Sequence, residues 1–303
     1  MLRTYSPSQF AARQPLEVAD ALERGDIVHF TVSPIALPSD ADLATLREQL
    51  PTQLSVKNVS YHPESDRVHG VKDNATLRDC AYRVLKAHSD TVVRFLQQAI
   101  PHLTAGWTVG TSSFRPIEER GRNLTPHASN ELVHVDAGAY GATNGARILR
   151  FFVNVNPGVD RVWATKGAFP YLFERYGAAA GIAGPHALER GPLDTLRTAA
   201  LRGLHVLGVR EAMVVDSSPY DRLMRRFHNY MKDSPDFQST RDDFEEIRFA
   251  PFSAWMVLTD TTSHASISGQ HALVNTFLLP LAACRLADVA PLNILRRGSS
   301  APA

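Results

Sequence analysis

Strand-forming sequence in two blocks, separated by a helical stretch, is the feature that most constrains the fold of this chain. The first block holds GWTVGTSSFRPI (106–117) and ARILRFFVNVNP (146–157), which is rich in β-branched and aromatic residues. The second holds FEEIRFAPFSAWMVLTD (244–260) and ALVNTFLLP (272–280). The stretch from about 169 to 240 predicts helix. Strands that resume after a helical insert favour a jelly roll with helices packed outside it, an α+β fold.

The N-terminal third predicts helices in front of this core. Between about 74 and 100, apolar residues recur every three or four positions, and Pro101 ends the pattern. The sequence has no regular strand–helix alternation and no GxGxxG motif, so a dinucleotide-binding α/β fold is disfavoured. We therefore expect one domain over residues 1–303, with a helical part to about 105, a jelly-roll core from about 106 to 285 and the insert within it.

Charge and composition exclude several classes of protein. The 303-residue chain has a formal net charge of +1, so no global positive field favours nucleic acid. No apolar leader is visible, and no run approaches the ~20 apolar residues of a membrane span. We expect a cytoplasmic protein, with peripheral contact at the inner membrane left open. Cys80 and Cys284 have no CxxC neighbours, which fits buried thiols in a reducing compartment and not a zinc–thiolate site.

A candidate metal site begins with His134-Val-Asp136. A histidine and an aspartate two residues apart on an extended strand point to the same face. A glycine-rich stretch follows them and leaves open space. His264 follows the strongly predicted strand AWMVLTD and would add a second imidazole. Two neutral nitrogens and one carboxylate can bind one side of an octahedral Fe(II) and leave positions for a co-substrate and dioxygen, which predicts an oxygenase.

The third ligand has a rival in His271. His264 is favoured because it lies just after a strand end and before small residues. His271 heads the next apolar strand and would point away from the metal.

Two other functions would use a similar site. A zinc hydrolase also takes two histidines and a carboxylate, but the sequence has no HExxH motif to supply a general base. A non-catalytic jelly-roll sugar-binding module would consume no dioxygen.

An oxygenase of this type commonly takes 2-oxoglutarate, whose far carboxylate needs a cation, ideally a bidentate arginine. The candidates are Arg115, Arg147 and Arg150. Arg147 and Arg150 are three residues apart, so on a strand they face opposite sides. Arg150 lies in the more apolar run, where its charge would need a partner such as a bound dicarboxylate. A surface salt bridge is the alternative for each arginine.

Several blocks of the sequence form a pattern in chain order: KNVSYHPESDRVHG, HVDAGA, RILRFFVNVNPG with RVW, SPYDRLMRRFHNYMKDSPDFQ, SAWMVLTD and SHASISGQHALVNTF. Together these blocks resemble the Kdo hydroxylases, Fe(II)/2-oxoglutarate dioxygenases of lipopolysaccharide inner-core assembly (Kdo is 3-deoxy-D-manno-oct-2-ulosonic acid). The resemblance spans roughly residues 20–280.

This resemblance implies a double-stranded β-helix core and hydroxylation of carbon 3 of Kdo on a lipid A precursor, giving the sugar acid Ko. It implies that His134, Asp136 and His264 bind the iron. Arg115 and Arg150 fall where the family would hold 2-oxoglutarate, and Trp163 is expected to line the same pocket.

The chain departs from many 2-oxoglutarate oxygenases in one respect. Those enzymes place an arginine or lysine about ten residues after the third ligand, whereas here only His271 intervenes between His264 and Arg285. The co-substrate's far carboxylate must then be bound from another strand, which favours Arg115 or Arg150. A basic group on the insert (Arg225, Arg226 and Lys232) could meet lipid phosphates, although a solvated helix face is the favoured interpretation.

Overall fold

The computed structural model describes residues 2–139, 141–184, 188–189 and 218–300. The middle of the predicted helical insert lies outside these residues. Eleven strands are described: β1 (Leu2–Tyr5), β2 (Ile27–Phe30), β3 (Val59–His62), β4 (Arg67–His69), β5 (Thr108–Arg115), β6 (Arg147–Asn154), β7 (Arg161–Thr165), β8 (Glu245–Phe249), β9 (Ala254–Leu258), β10 (Ala265–Ser268) and β11 (Ala272–Leu279).

The described α-helices flank these strands and fall into an N-terminal and a C-terminal group. The first comprises α1 (Pro7–Ala11), α2 (Pro15–Glu23), α3 (Asp40–Gln49) and α4 (Ala75–Ala99). The second comprises α5 (Phe169–Tyr176), α6 (Pro219–Asp233), α7 (Pro235–Ser239) and α8 (Pro291–Ser300). None of the described helices is long and apolar enough to cross a membrane.

Two sheets form the core of the molecule. The large sheet has eight strands in the order β1-β2-β9-β6-β11-β5-β3-β4, and the small sheet has three in the order β10-β7-β8. Apart from the parallel β1–β2 pair, the paired strands run antiparallel. The two sheets pack face to face through a cluster that includes Phe152 and Trp255 of the large sheet and Trp163 and Phe249 of the small one. The α+β jelly-roll prediction is confirmed.

The opposite face of the large sheet is covered by the N-terminal helices. Strand β6 alternates, so that Leu149 and Phe151 enter the core shared with these helices while Phe152 faces the small sheet. Helix α4 begins at Asn74, whose side chain accepts a hydrogen bond from the Leu77 amide, and ends just before Pro101. The helix predicted for residues 74–100 is therefore present, and it buries one apolar face on the sheet.

The N-terminal part holds strands as well as helices. Four strands, β1 to β4, lie before residue 105, and all belong to the large sheet. The insert helices α5, α6 and α7 form a separate cluster with α8 and with Val133 and Val135, on either side of His134. This cluster anchors the segment that carries the predicted metal ligands.

Candidate metal centre

The three predicted metal ligands converge. Nε2 of His134 lies 3.8 Å from Oδ1 of Asp136, and Nε2 of His264 lies 3.9 Å from the same oxygen. One ligand atom from each residue falls within 4.8 Å of the others, and no other such group of His, Cys, Asp or Glu occurs among the described residues. The predicted convergence is present, while the role of these side chains as iron ligands stays a prediction.

Backbone hydrogen bonds fix the ligand positions. His134 and His264 form an isolated antiparallel bridge, in which each amide donates to the other's carbonyl, at 3.0 Å and 2.8 Å. The Asp136 amide donates to the Thr259 carbonyl at 2.8 Å, just after the end of β9. Between main-chain atoms, the segment 132–136 is thus held by this bridge and the Asp136 bond, and the Gln238 side chain also bonds the amide and carbonyl of Val133. The turn 259–264 connects β9 to β10, and the segment 132–136 bonds to both ends of this turn, at Thr259 and His264. This pairing brings His134 and Asp136 to the distant His264.

The ring nitrogens of both histidines are arranged for metal binding. Nδ1 of His134 lies 2.7 Å from the Leu132 carbonyl, and Nδ1 of His264 lies 3.0 Å from the Thr262 carbonyl. A carbonyl oxygen only accepts, so each Nδ1 must carry the proton and donate it. Nε2 of a neutral ring then keeps its lone pair, and both lone pairs lie beside the Asp136 carboxylate. Such outer hydrogen bonds are typical of metal-ligating histidines.

Electrostatics keep all three groups in the forms that bind metal. Burial lowers the pKa of both His134 and His264, so the rings are neutral at neutral pH. Burial acts to raise the pKa of Asp136, but Arg150, whose Nη2 lies 3.0 Å from Oδ2, together with the two histidines and a Thr259 hydrogen bond, lowers it overall. No proton needs to leave the site before a cation can bind.

The predicted arginines separate into two environments. Arg115 and Arg150 line a cavity of about 90 Å³ beside the three ligands, together with Trp163, Phe152, Asn130 and Ser266. Arg147 faces the other way and is fully buried, donating from Nε to Asp260 at 2.6 Å. The expectation that Arg147 and Arg150 face opposite sides is met, and Arg147 is removed from the candidates for 2-oxoglutarate.

Trp163 packs directly on a predicted ligand. Its ring stacks on His264 with centroids 5.3 Å apart and meets Phe152 edge to face at 4.8 Å. Its indole N–H, buried in this wall, has no hydrogen-bond partner. Trp163 therefore fixes one ligand ring and offers a spare donor.

His271, the rival third ligand, lies elsewhere. Its backbone has φ 62°, its amide donates to the Arg115 carbonyl at 3.0 Å, and its ring stacks near Phe114 with centroids 6.0 Å apart. It lies outside the group of three candidate ligands.

Glu119 is an important residue that sequence reasoning missed. It is 2% exposed and contacts three guanidinium groups, those of Arg161 at 3.1 Å, Arg115 at 3.4 Å and Arg122 at 3.7 Å. Asn130 donates to Oε2, the oxygen that Arg122 also contacts, at 3.1 Å. Burial lowers the pKa of Arg115 to about 10 although Glu119 opposes this, so the cation is incompletely compensated. A charged residue in a polar loop gives no sequence signal of such a role.

The insert also reaches the site. His228 on α6 lies edge to face on His134 with ring centroids 4.8 Å apart, and its Nδ1 is 2.8 Å from the Val135 carbonyl. Lys232 is buried and donates to the His127 and Ser129 carbonyls at 3.1 Å and 2.8 Å. The interpretation of Lys232 as part of a solvated helix face was wrong, because α6 packs over the loop that precedes the ligands.

The donor set fits a divalent metal and an anionic co-substrate. Two neutral nitrogens and a carboxylate suit Fe(II), and three open positions would remain on an octahedral ion. Nε of Arg115 and Nε of Arg150, both buried, have no hydrogen-bond partner. Arg115 and Arg150 line the cavity, and with Arg122 and Arg161 they contact only two carboxylates, Glu119 and Asp136. Buried donors without a partner, beside an excess of positive charge, favour a bound dicarboxylate.

Comparison with known proteins agrees with this geometry. The family model for 3-deoxy-D-manno-oct-2-ulosonic acid (Kdo) hydroxylase matches residues 7–301. No curated protein sequence matches the chain. The solved structure of the Kdo hydroxylase KdoO, a non-heme Fe(II) alphaketoglutarate-dependent dioxygenase, with alphaketoglutarate and Fe(III) bound, is 25% identical; the match covers 98% of this chain and 95% of that one, with a TM-score of 0.80. The structure of KdoO with cobalt(II) is 24% identical; the match covers 100% of this chain and 98% of that one, with a TM-score of 0.81.

Proposed function

The chain belongs to the Kdo hydroxylase family, and from this premise we propose that it is an Fe(II)/2-oxoglutarate-dependent dioxygenase that hydroxylates Kdo. The observation that carries the proposal is the convergence of His134, Asp136 and His264 beside a cavity with an excess of positive charge. KdoO, which shares the fold across nearly the whole chain, is described with the same metal and co-substrate.

When bound, Fe(II) and 2-oxoglutarate supply the oxidising power: dioxygen is consumed, 2-oxoglutarate is converted to succinate and carbon dioxide, and one oxygen atom enters a C–H bond of the substrate. The chain's own residues bind, orient and exclude water. Nε2 of His134, Nε2 of His264 and the Asp136 carboxylate would hold the metal. Trp163 and Phe152 form an apolar wall that limits water access.

Arg115 is the better partner for the far carboxylate of 2-oxoglutarate. Arg150 touches the metal-binding carboxylate directly, at 3.0 Å, and so lies beside the chelating end of the co-substrate. Arg115 is held by Glu119 elsewhere in the cavity wall, with its guanidinium over the Phe152 ring. A co-substrate of five carbons that chelates the metal at one end would extend toward Arg115.

More specifically, we propose that the substrate is a Kdo residue attached to a lipid A precursor, that hydroxylation occurs at carbon 3, and that Ko is the product. The family supports the Kdo part of this proposal. An enzyme acting on a glycolipid precursor would work in the cytoplasm, at the surface of the inner membrane.

The test is an anaerobic titration of the metal-free protein with Fe(II) and 2-oxoglutarate, followed by air and Kdo-lipid A. We expect a weak visible charge-transfer band, then succinate and a hydroxylated sugar in equal amounts. No band, and no succinate after air, would rule out the proposal. Zinc-dependent hydrolysis without dioxygen uptake would instead identify a hydrolase, and binding without turnover would identify a sugar-binding module.

A further inference from the structure

A polar groove adjoins the metal cavity on the same face of the large sheet. It has a volume of about 270 Å³ and shares Arg115 and Arg150 with the cavity. Its other lining residues are mostly short and polar: Asn58, Ser60, His62, Thr111, Ser113, Ala139, Val274 and Thr276. None of the described lining residues is acidic.

Strand alternation explains why these side chains share one surface. On β3, Val59 and Tyr61 enter the core under the N-terminal helices, so Ser60 points to the other face. On β5, Phe114 enters that core, so Ser113 and Arg115 face the groove. The register aligns them across strands, since Ser60 pairs with Ser113 and Thr276 pairs with Arg150.

The hydroxyl groups lie close together across the groove floor. Oγ of Ser60 lies 2.8 Å from Oγ of Ser113, which in turn lies 3.4 Å from Oγ1 of Thr111. Each hydroxyl can both donate and accept, so the row can exchange hydrogen bonds with the hydroxyls of a polyol. Solvated sheet faces more often carry long charged side chains, whereas these short ones leave a concave space.

We propose that this groove is the sugar subsite, and that it selects an acid sugar by binding its hydroxyls along Ser60, Ser113 and Thr276 and its carboxylate at Arg150. This inference rests on the proposed function and specifies where its substrate binds. Arg150 suits the carboxylate because it lines both spaces and, although its Nη2 contacts Asp136, its buried Nε has no hydrogen-bond partner. A sugar held there would lie next to the metal cavity, since Arg115 and Arg150 line both spaces.

The test measures binding, not turnover. The full-length protein, loaded with Fe(II) and 2-oxoglutarate under argon, is titrated calorimetrically with Kdo methyl glycoside and with the methyl ester of that glycoside. We expect the ester, which lacks the charge, to bind at least about tenfold more weakly. The double variant Ser113→Val/Thr276→Val, which keeps the strand shape, should bind the acid at least about tenfold more weakly than the wild type.

Ser112→Ala is the matched control. Its hydroxyl is the neighbour of Ser113 on β5 but is buried on the opposite face, without a hydrogen-bond partner. It should bind the acid glycoside as the wild type does, and all variants should keep the Fe(II)–2-oxoglutarate band.

Equal affinities for acid and ester, or an unchanged affinity in the double variant, would overturn the subsite, as would absence of glycoside binding by the wild type. The proposed function is tested separately: if the wild type still forms hydroxylated sugar from Kdo-lipid A, only the subsite is wrong. If the wild type forms no such product, the proposed function itself has failed.

Discussion

At the scale of single residues, main-chain carbonyls orient the two imidazoles of the site. The Leu132 and Thr262 carbonyls each lie two residues before the histidine that they bind. The orientation is therefore local and follows from the backbone path. The His-x-Asp spacing predicted the shared face of His134 and Asp136. The partner His264 could be predicted only as one of two candidates, because sequence does not show which side of a strand end faces the metal.

Replacing Asp136 tests the carboxylate ligand. Asp136→Ala removes the only anionic group of the three and should abolish succinate formation, to below about one-thousandth of the wild-type rate, while far-UV circular dichroism stays unchanged. Asp90→Ala, on the exposed side of α4, is the control and should keep full activity. Hydroxylation retained by the Asp136 variant would show that the assigned ligand is wrong.

Glu119 should matter for stability as well as for binding. Glu119→Gln leaves Arg161, which has no exposed side-chain surface, without its carboxylate. Removing one partner of a buried ion pair typically costs about 3 kcal/mol or more. Urea unfolding of the metal-free protein should reveal a loss of about 3 kcal/mol.

The control for this change is Glu246→Gln, which removes an exposed ion pair with Arg248. Such pairs contribute about 0–1 kcal/mol. If both variants lose the same small amount, the Glu119 network is not a stabilising element.

At the scale of secondary structure, the strong strands and long helices were predictable, and the short strands β1, β3 and β4 were not. Strands β6, β9 and β11 have buried, β-branched or aromatic sequences of five or eight residues. Strands β1, β3 and β4 have three or four residues, too few for alternation to show. Their place at or near the edges of the large sheet depends on contacts with remote strands. The groove needs β3, so its floor could not be derived from local patterns.

The packing of α4 on the large sheet has a pH-dependent component. His88 of α4 is only 3% exposed. Burial lowers its pKa to about 4, although the Asn275 side chain opposes this shift. In the unfolded chain this imidazole takes up a proton near its ordinary pKa of 6.5, and in the folded chain it does not. Stability is therefore lost as the pH falls from about 6.5 toward 4, by roughly 1.4 kcal/mol for each pH unit.

His88→Leu removes this component. Between pH 7 and pH 5, the free energy of unfolding of the metal-free wild type should fall by about 2 kcal/mol more than that of the variant. Denaturant unfolding at several pH values measures both profiles. Parallel profiles would show that His88 does not titrate differently on folding.

At the scale of the whole molecule, the near-neutral chain concentrates positive charge in one place. The formal net charge is +1, yet two guanidinium groups line the cavity and two more contact Glu119 next to it, against the two carboxylates of Glu119 and Asp136. A divalent metal adds to this excess, and a dicarboxylate co-substrate with an acid sugar would offset it. The near-neutral composition correctly predicted that the whole chain has no strong positive potential, but it could not locate this local cluster of positive charge. The cluster arises because β5, β6 and β7 bring Arg115, Arg150 and Arg161 together.

Whether His134, Asp136 and His264 bind one ferrous ion is measured most directly by the iron stoichiometry under argon of the wild type, His264→Ala and His271→Ala. Equilibrium dialysis followed by iron analysis should give about one Fe(II) per chain for the wild type and for His271→Ala, and less than about a tenth for His264→Ala. If His264→Ala kept a full equivalent of iron, or if His271→Ala lost its iron, the assignment of His264 as the third ligand would be wrong.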